Sequence, residues 1–367
     1  MPDVPERMLF GPGPSDVPAS VLAAMSRPVI GHLDPAFVAL LDDVARMLRE
    51  VFRTDNDVTF AVSATGSAGM EMALVNLLEP GDRAVICIAG VFGERLAEIA
   101  RRCGADVTEV RAEWGSPVLD GDVVAALHEG RPAKLVALVH AETSTGMRQP
   151  VEAIGRATRE HGAFLVLDAV TSLVGIPLNV DEWGVDVCYS GTQKCLSVPP
   201  GLSPITFSPR AMEAVLARRE PVRSWYLDVS LVTRYWGADR VYHHTAPISM
   251  IYALHEGLRL VLEEGLEARW ERHERLGAKL QAALVELGFE LLAAEGCRLP
   301  QLSAAAVPPG VDEKAARARL LNEFGIEVGG GLGAFAGRAW RIGLMGESCR
   351  EEKLDRLLSA ISKVVAG

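Results

Sequence analysis

The chain has 367 residues, 49% of them apolar and 23% charged, with a net charge of −11. That much apolar sequence can bury a large core and predicts two domains more readily than one. The acidic balance and the lack of any basic run count against nucleic-acid binding, no stretch of about 18 uncharged apolar residues exists to cross a membrane, and an anionic ligand would need local donors against the global field.

Residues 1–16 include Gly11-Pro12-Gly13-Pro14-Ser15 and read as an extended arm, because proline and glycine interrupt helices. Met1 to Phe10 carries Asp3, Glu6 and Arg7 without an apolar run, so no secretory leader is expected. Short apolar runs then follow at 58–63, 83–89, 106–110, 135–140, 163–168, 185–190 and 202–207. Helical patterns separate most of them, at 66–78, 92–103, 120–129 and 150–161. This alternation predicts an α/β fold, a mostly parallel seven-stranded sheet sandwiched by helices, with ligands at the carboxyl ends of its strands.

After residue 209 the pattern changes. Long helices are expected at 247–264 and 268–288, strand-like segments at 289–293 and 302–307, and a helix at 311–324. A glycine-rich turn (Gly329-Gly330-Gly331), a strand at 339–344 and a last helix at 350–365 complete a smaller α+β domain. The expected division is an arm at 1–16, a large domain at 17–262 and a small C-terminal domain at 263–367. The end, Val364-Val365-Ala366-Gly367, is neither a prenylation box nor a peroxisomal address. Cysteines at 87, 103, 188, 195, 297 and 349 form no C-x-x-C pair and suggest reduced thiols in a cytoplasm.

Two charged residues carry the chemistry. Phe164-Leu165-Val166-Leu167 runs into Asp168, which places a carboxylate at the ligand end of a buried strand. Alone, such an Asp is as well explained as a helix cap or turn residue. Lys194 follows another apolar run, within Tyr189-Ser190-Gly191-Thr192-Gln193-Lys194. A lone lysine is ordinarily a solvated surface group. At the mouth of a sheet it can be desolvated, which lowers its pKa and makes it nucleophilic towards an aldehyde. An aspartate beside it can keep a pyridine nitrogen protonated. That pairing is what pyridoxal phosphate needs, since the protonated ring is its electron sink. Ser63-Ala64-Thr65-Gly66-Ser67-Ala68-Gly69 leads into a helix and could cradle a phosphate, although a tight strand-to-helix turn would look the same.

These segments resemble the class V, fold-type-I aminotransferases, and within them the alanine–glyoxylate and serine–glyoxylate group. The resemblance covers nearly the whole chain. It also rests on Gly31-His32-Leu33-Asp34-Pro35, His140-Ala141-Glu142-Thr143-Ser144-Thr145-Gly146, Leu167-Asp168-Ala169-Val170-Thr171-Ser172, Tyr242-His243-His244-Thr245 and Trp340-Arg341-Ile342-Gly343-Leu344. It implies that Lys194 is the Schiff-base lysine, Asp168 the pyridinium partner and Val170 the apolar residue under the ring. Phe92 falls where relatives stack tryptophan or tyrosine, a mild departure that keeps the ring and loses a polar handle; core packing is the plainer reading of Phe92 alone. Thr143 resembles a hydroxyl residue near the ring oxygen and substrate, and Thr65, Gly66, Ser67 and Gln193 fall at phosphate-binding positions. Tyr242 and Thr245 look like the pair that reaches the neighbouring subunit's phosphate, which implies a homodimer. Arg341 looks like the clamp for the substrate carboxylate, bound by two parallel hydrogen bonds; a structural ion pair is its alternative.

The activity implied is ping-pong transfer of an amino group from alanine or serine to glyoxylate. Serine–pyruvate and ureidoglycine–glyoxylate aminotransferases are alternatives, and so are a cysteine desulfurase-like lyase and a non-catalytic protein of the same fold. Gln193 stands where desulfurases carry histidine, and the Tyr-x-x-Thr spacing argues against ureidoglycine. Several motifs are expected to be silent. His140-Ala141-Glu142 lacks the P-C-x-x-C of zinc deaminases. His243 and His244 are expected to point apart on a strand, so no metal site is anticipated. Gly331-Leu332-Gly333-Ala334-Phe335-Ala336 fits G-x-G-x-x-A but precedes a strand, so it is no dinucleotide fingerprint. Cys195 reads as a small buried residue.

Overall fold

In the computed structural model, which describes residues 4–365, every apolar run read from 58 to 207 becomes a strand of one sheet. Met1–Asp3 and Ala366–Gly367, on which the readings of the two termini partly rest, lie outside the described residues.

The strands in chain order are β1 (Met8–Phe10), β2 (Val58–Val62), β3 (Arg83–Ile88), β4 (Asp106–Arg111), β5 (Leu135–Val139), β6 (Ala141–Glu142) and β7 (Met147–Arg148). They continue with β8 (Phe164–Asp168), β9 (Val187–Tyr189), β10 (Ser203–Phe207), β11 (Glu290–Leu291), β12 (Leu302–Ala306), β13 (Ile326–Gly330) and β14 (Ala339–Gly343). The large sheet has the order β2-β10-β9-β8-β5-β3-β4. β9, β8, β5, β3 and β4 run parallel, and β10 alone is antiparallel to both its neighbours. Buried on both faces, β5 and β8 consist of apolar residues up to the terminal Asp168.

The helices that cover this sheet are α1 (Ala19–Met25), α2 (Pro35–Phe52), α3 (Gly66–Leu77), α4 (Val91–Arg102), α5 (Asp120–His128), α6 (Glu152–Glu160), α7 (Pro209–Leu216), α8 (Val229–Trp236) and α9 (Ile248–Glu264). The sequence reading did not anticipate α1, α2, α7 or α8. α2 starts where Asp34 accepts from the Ala36 N–H at 2.8 Å and Pro35 takes the first helical position, a capping pattern that needs no neighbour.

α10 (Leu266–Glu286), α11 (Glu313–Phe324) and α12 (Glu351–Val365) pack on a second sheet of order β1-β13-β14-β12-β11. The arm thus contributes a strand: β1 pairs in parallel with β13, and Phe10 is fully buried in the smaller core. The segment read as a glycine-rich turn is the end of β13, with Gly329 opposite Arg341 and Gly330 opposite Trp340. A Cβ on Gly329 would come within 2.5 Å of Pro12 Cδ. The glycine is therefore there to let the arm pass close, not to turn the chain. No helix among the described residues is long and apolar enough to cross a membrane.

Candidate active site

β8 ends in Asp168, and the segment leaving β9 carries Ser190 to Lys194, so one carboxylate and one amine arise from neighbouring strands at the same sheet edge. Both line a cavity of about 360 Å³, within the range of small-molecule sites.

Asp168 is 3% exposed. Its Oδ1 accepts from the Val170 N–H at 2.8 Å, and its Oδ2 from the Tyr189 hydroxyl at 2.9 Å. Burial pushes its pKa up to about 6 in spite of these two donors, because desolvation penalises the anion more than they favour it. A cationic ring nitrogen in the cavity would restore the charged form.

Lys194 donates from Nζ to the Pro12 carbonyl, which makes the arm part of the site. Burial first, and the Arg341 cation second, lower its pKa to about 8. The amine is therefore far more nucleophilic near neutral pH than a surface lysine. Gly13 closes over it at φ +115°, and a Cβ there would fall 2.7 Å from both Cδ and Nζ of Lys194.

A second wall is the N-terminus of α3. Thr65 and Ser67 line the cavity there, and the Thr65 side chain does not cap the helix, which leaves the Gly66 and Ser67 N–H groups open to an anion while that of Ala68 donates to the Thr65 carbonyl. A Cβ on Gly66 would meet Val170 Cγ2 at 3.2 Å and the Ser190 carbonyl at 3.5 Å and fill the cradle. Gln193 lines the same cavity, and its Oε1 is buried without a hydrogen-bond partner. An open helix terminus, two hydroxyls and a side-chain amide whose N–H groups can donate fit a phosphate ester in one cradle. Val170, Thr143 and Phe92 complete the walls, Val170 directly after the Asp168–Ala169 turn and Phe92 in the first turn of α4. These residues fit an aromatic ring between an apolar face and an aromatic one.

Of the residues singled out from the sequence, Tyr242, Thr245 and Arg341 do not line this cavity. Tyr242 is 57% exposed and Thr245 is exposed. Arg341 sits half-buried in β14, and its Nε donates to the Gly330 carbonyl at 2.8 Å. It forms no ion pair among the described residues, so the structural alternative for it finds no partner. Its charge is close enough to act on Lys194.

Sequence reasoning passed over four participants. Tyr189, Pro12 and Glu142 were on the page as parts of motifs, but their contacts are tertiary. Arg95 lines the cavity with its guanidinium 5.0 Å from the Phe92 ring centroid; its i+3 spacing from Phe92 was the available signal.

The silent motifs divide. His140 is buried edge-on to Trp183, and its pKa falls to about 3 through burial. Cys195 is fully buried, its thiol pushed up to about 12 by burial. His243 and His244 do not point apart. They lie in an irregular segment with their Nδ1 atoms 2.8 Å apart, because no strand forms there to alternate them. No group of three metal-ligating side chains occurs among the described residues. Within Gly331–Ala336, Gly333–Phe335 forms a short 3-10 turn before β14.

Comparison with known proteins agrees with this geometry. The model of the family "Aminotransferase class-V" matches residues 7–351. The chain is 41% identical to (S)-ureidoglycine–glyoxylate transaminase of Bacillus subtilis, over 98% of this chain and 91% of that protein. It is 39% identical to alanine–glyoxylate aminotransferase of Oryctolagus cuniculus, over 98% and 93%. Among solved structures, alanine–glyoxylate aminotransferase from Nostoc sp. superposes with a TM-score of 0.97 at 50% identity, covering 99% of this chain and 96% of that one.

Proposed function

The chain belongs to the class V aminotransferases, enzymes that depend on pyridoxal phosphate, and from that premise we propose that it moves the amino group of alanine to glyoxylate, with serine as a further donor. The observation that carries this reading is the amine of Lys194, its pKa lowered to about 8, sharing one cavity with buried Asp168 while the Arg341 cation, without an ion-pair partner among the described residues, lies close enough to act on the amine.

Pyridoxal phosphate supplies an aldehyde and an electron-withdrawing ring. The chain's own residues do the rest. Lys194 would hold the cofactor through its aldehyde, and the same amine, when free, would hold and move the substrate's α-proton. Asp168 keeps a positive charge at the ring nitrogen, and the Tyr189 hydroxyl and Val170 N–H keep its carboxylate aimed. Thr65, Gly66, Ser67 and Gln193 bind the phosphate. Val170 and Phe92 confine the ring, and Thr143 holds the ring oxygen and orients the substrate. Arg341 binds the substrate carboxylate.

Tyr242 and Thr245, exposed on this chain, serve a neighbouring subunit's phosphate, so the working unit is a homodimer. The division into an arm at 1–16, a large domain at 17–262 and a small domain at 263–367 belongs to the same proposal and is supported by the presence of two sheets with separate cores. So is a cytoplasmic location, supported by six free cysteines.

Ureidoglycine is the second reading for the donor, favoured by the 41% identity to the Bacillus subtilis relative named for it. The Tyr242–Thr245 spacing favours alanine. The two separate when alanine, serine and ureidoglycine are compared as donors to glyoxylate by kcat/KM. Alanine leading supports the proposal, ureidoglycine leading replaces it, and no turnover with any donor rejects both.

A further inference from the structure

Helix α4 carries Phe92 in its first turn, yet the residue at its N-cap is Gly90, which has no side chain to satisfy the helix's open N–H groups. The caps come instead from another element. Glu142, the last residue of β6, accepts from the Phe92 N–H through Oε2 at 3.1 Å. Its Oε1 accepts from the Ser144 N–H at 3.1 Å and from the Ser144 hydroxyl at 2.6 Å. Ser144 Oγ in turn accepts from the Val91 N–H at 3.1 Å.

The arrangement excludes any other residue at position 90. A Cβ on Gly90 would come within 2.6 Å of Glu142 Cγ and closer still to Ser144 Oγ. Glu142 is 1% exposed and Ser144 fully buried, so water cannot replace either cap. Between the two capping residues stands Thr143. One buried carboxylate thus links the helix that presents Phe92 to the loop that presents Thr143, and both residues line the same cavity.

Building on the transaminase reading, we propose that Glu142 is a positioning residue, whose carboxylate at the N-terminus of α4 holds the Phe92 ring and the Thr143 hydroxyl in fixed relation in the cavity that would receive the cofactor. A buried carboxylate without compensation would be neutral; here a helix terminus and charge-assisted hydrogen bonds favour the anion. Burial raises its pKa above that of a free carboxyl, the hydrogen bonds from Ser144, Phe92 and Gly93 oppose that rise without reversing it, and its charge acts on both Arg341 and Asp168. The same group therefore also lies within the field of two of the site's charged side chains, Arg341 and Asp168.

The test uses Glu142→Gln, which keeps one acceptor oxygen and loses the charge, and Ser144→Ala, which removes the second cap. Amide exchange of peptides spanning Val91–Gly93 is followed in the protein without cofactor. The cofactor's dissociation constant, the visible circular dichroism of the bound cofactor, kcat and KM are measured beside it. The expected result is protection at Phe92 and Gly93 weakened about tenfold, cofactor binding weakened and its dichroism reduced, and kcat of the folded enzyme lowered about tenfold with KM for the amino acid changed about twofold or less. Unchanged exchange at Phe92, or unchanged dichroism and kcat in folded Glu142→Gln, would overturn the proposal, as would a variant that loses only melting temperature. The exchange arm involves no cofactor and so judges the Glu142 link separately from the transaminase assignment.

Discussion

Asp168 and Tyr189 face each other across adjacent parallel strands, and the tyrosine hydroxyl donates to the carboxylate at 2.9 Å. Burial drives the phenol's own pKa well above its usual value, so it is a donor at every working pH. In Tyr189→Phe one Asp168 oxygen loses its partner and the carboxyl becomes easier to protonate. The expected effect is about a tenfold fall in kcat with the fold intact, as for a lost hydrogen bond to a charged group. Steady-state kinetics beside a melting curve check it; wild-type kcat would remove Tyr189 from the account.

The pKa of Lys194 makes a prediction about pH. With the group at about 8 instead of 10.5, about a tenth of the amine is neutral at pH 7, against a few parts in ten thousand for an ordinary lysine. The rate at which the cofactor-free protein captures pyridoxal phosphate should rise with pH and level off above about 8. Stopped-flow absorbance measures it, and a rate still climbing tenfold per unit at pH 9 would show an unshifted amine.

Arg341→Lys keeps the charge and loses the paired donors. KM for amino and oxo acids should rise roughly 10- to 100-fold with kcat much less affected. An unchanged KM would mean that another group binds the carboxylate.

Gly13 is held at φ +115° against the Lys194 side chain. Gly13→Ala must either strain the backbone or displace the amine, and a fall in activity of at least about tenfold is expected. A cofactor titration distinguishes displaced Lys194 from a misfolded chain, because only the latter also lowers the melting temperature sharply.

His273 is fully buried in α10, its Nδ1 donating to the Arg269 carbonyl and its Nε2 accepting from the Gly346 N–H at 3.0 Å. Burial first, then the Arg269 and Arg272 cations, lower its pKa from 6.5 to about 3. The unfolded chain takes up this proton below 6.5 and the folded one does not until about 3. The stability it contributes is present above pH 6.5 and is lost as pH falls towards 3. From pH 7 to 5 the loss is about 2 kcal/mol. Denaturant titrations should show His273→Leu less stable at pH 7 and with a slope against pH shallower by that amount.

The sheet was legible because its strands are buried on both faces, so β5 and β8 read as unbroken apolar runs. Asp168 and Lys194 were legible because each breaks such a pattern at a strand's ligand end. β13 was hidden because Gly329 and Gly330 look like a turn; the approach of Pro12 explains Gly329, whereas a Cβ on Gly330 would meet only the Arg317 and Glu313 side chains. α2 was overlooked although Asp34 and Pro35 announce it. Glu142 could not be recognised from its neighbours in sequence: beside the local Ser144 its other partner, the Phe92 N–H, lies 50 residues away on α4, and nothing local marks a side chain that caps another helix.

The central claim is that Lys194 holds the cofactor, and one of six lysines must carry it. Reducing the loaded enzyme with borohydride and mapping its peptides by mass spectrometry tests this directly. A phosphopyridoxyl group on Lys194 alone, absent in Lys194→Ala, is the predicted result. A label on Lys134, Lys279 or any other lysine, or none on the loaded protein, would contradict it.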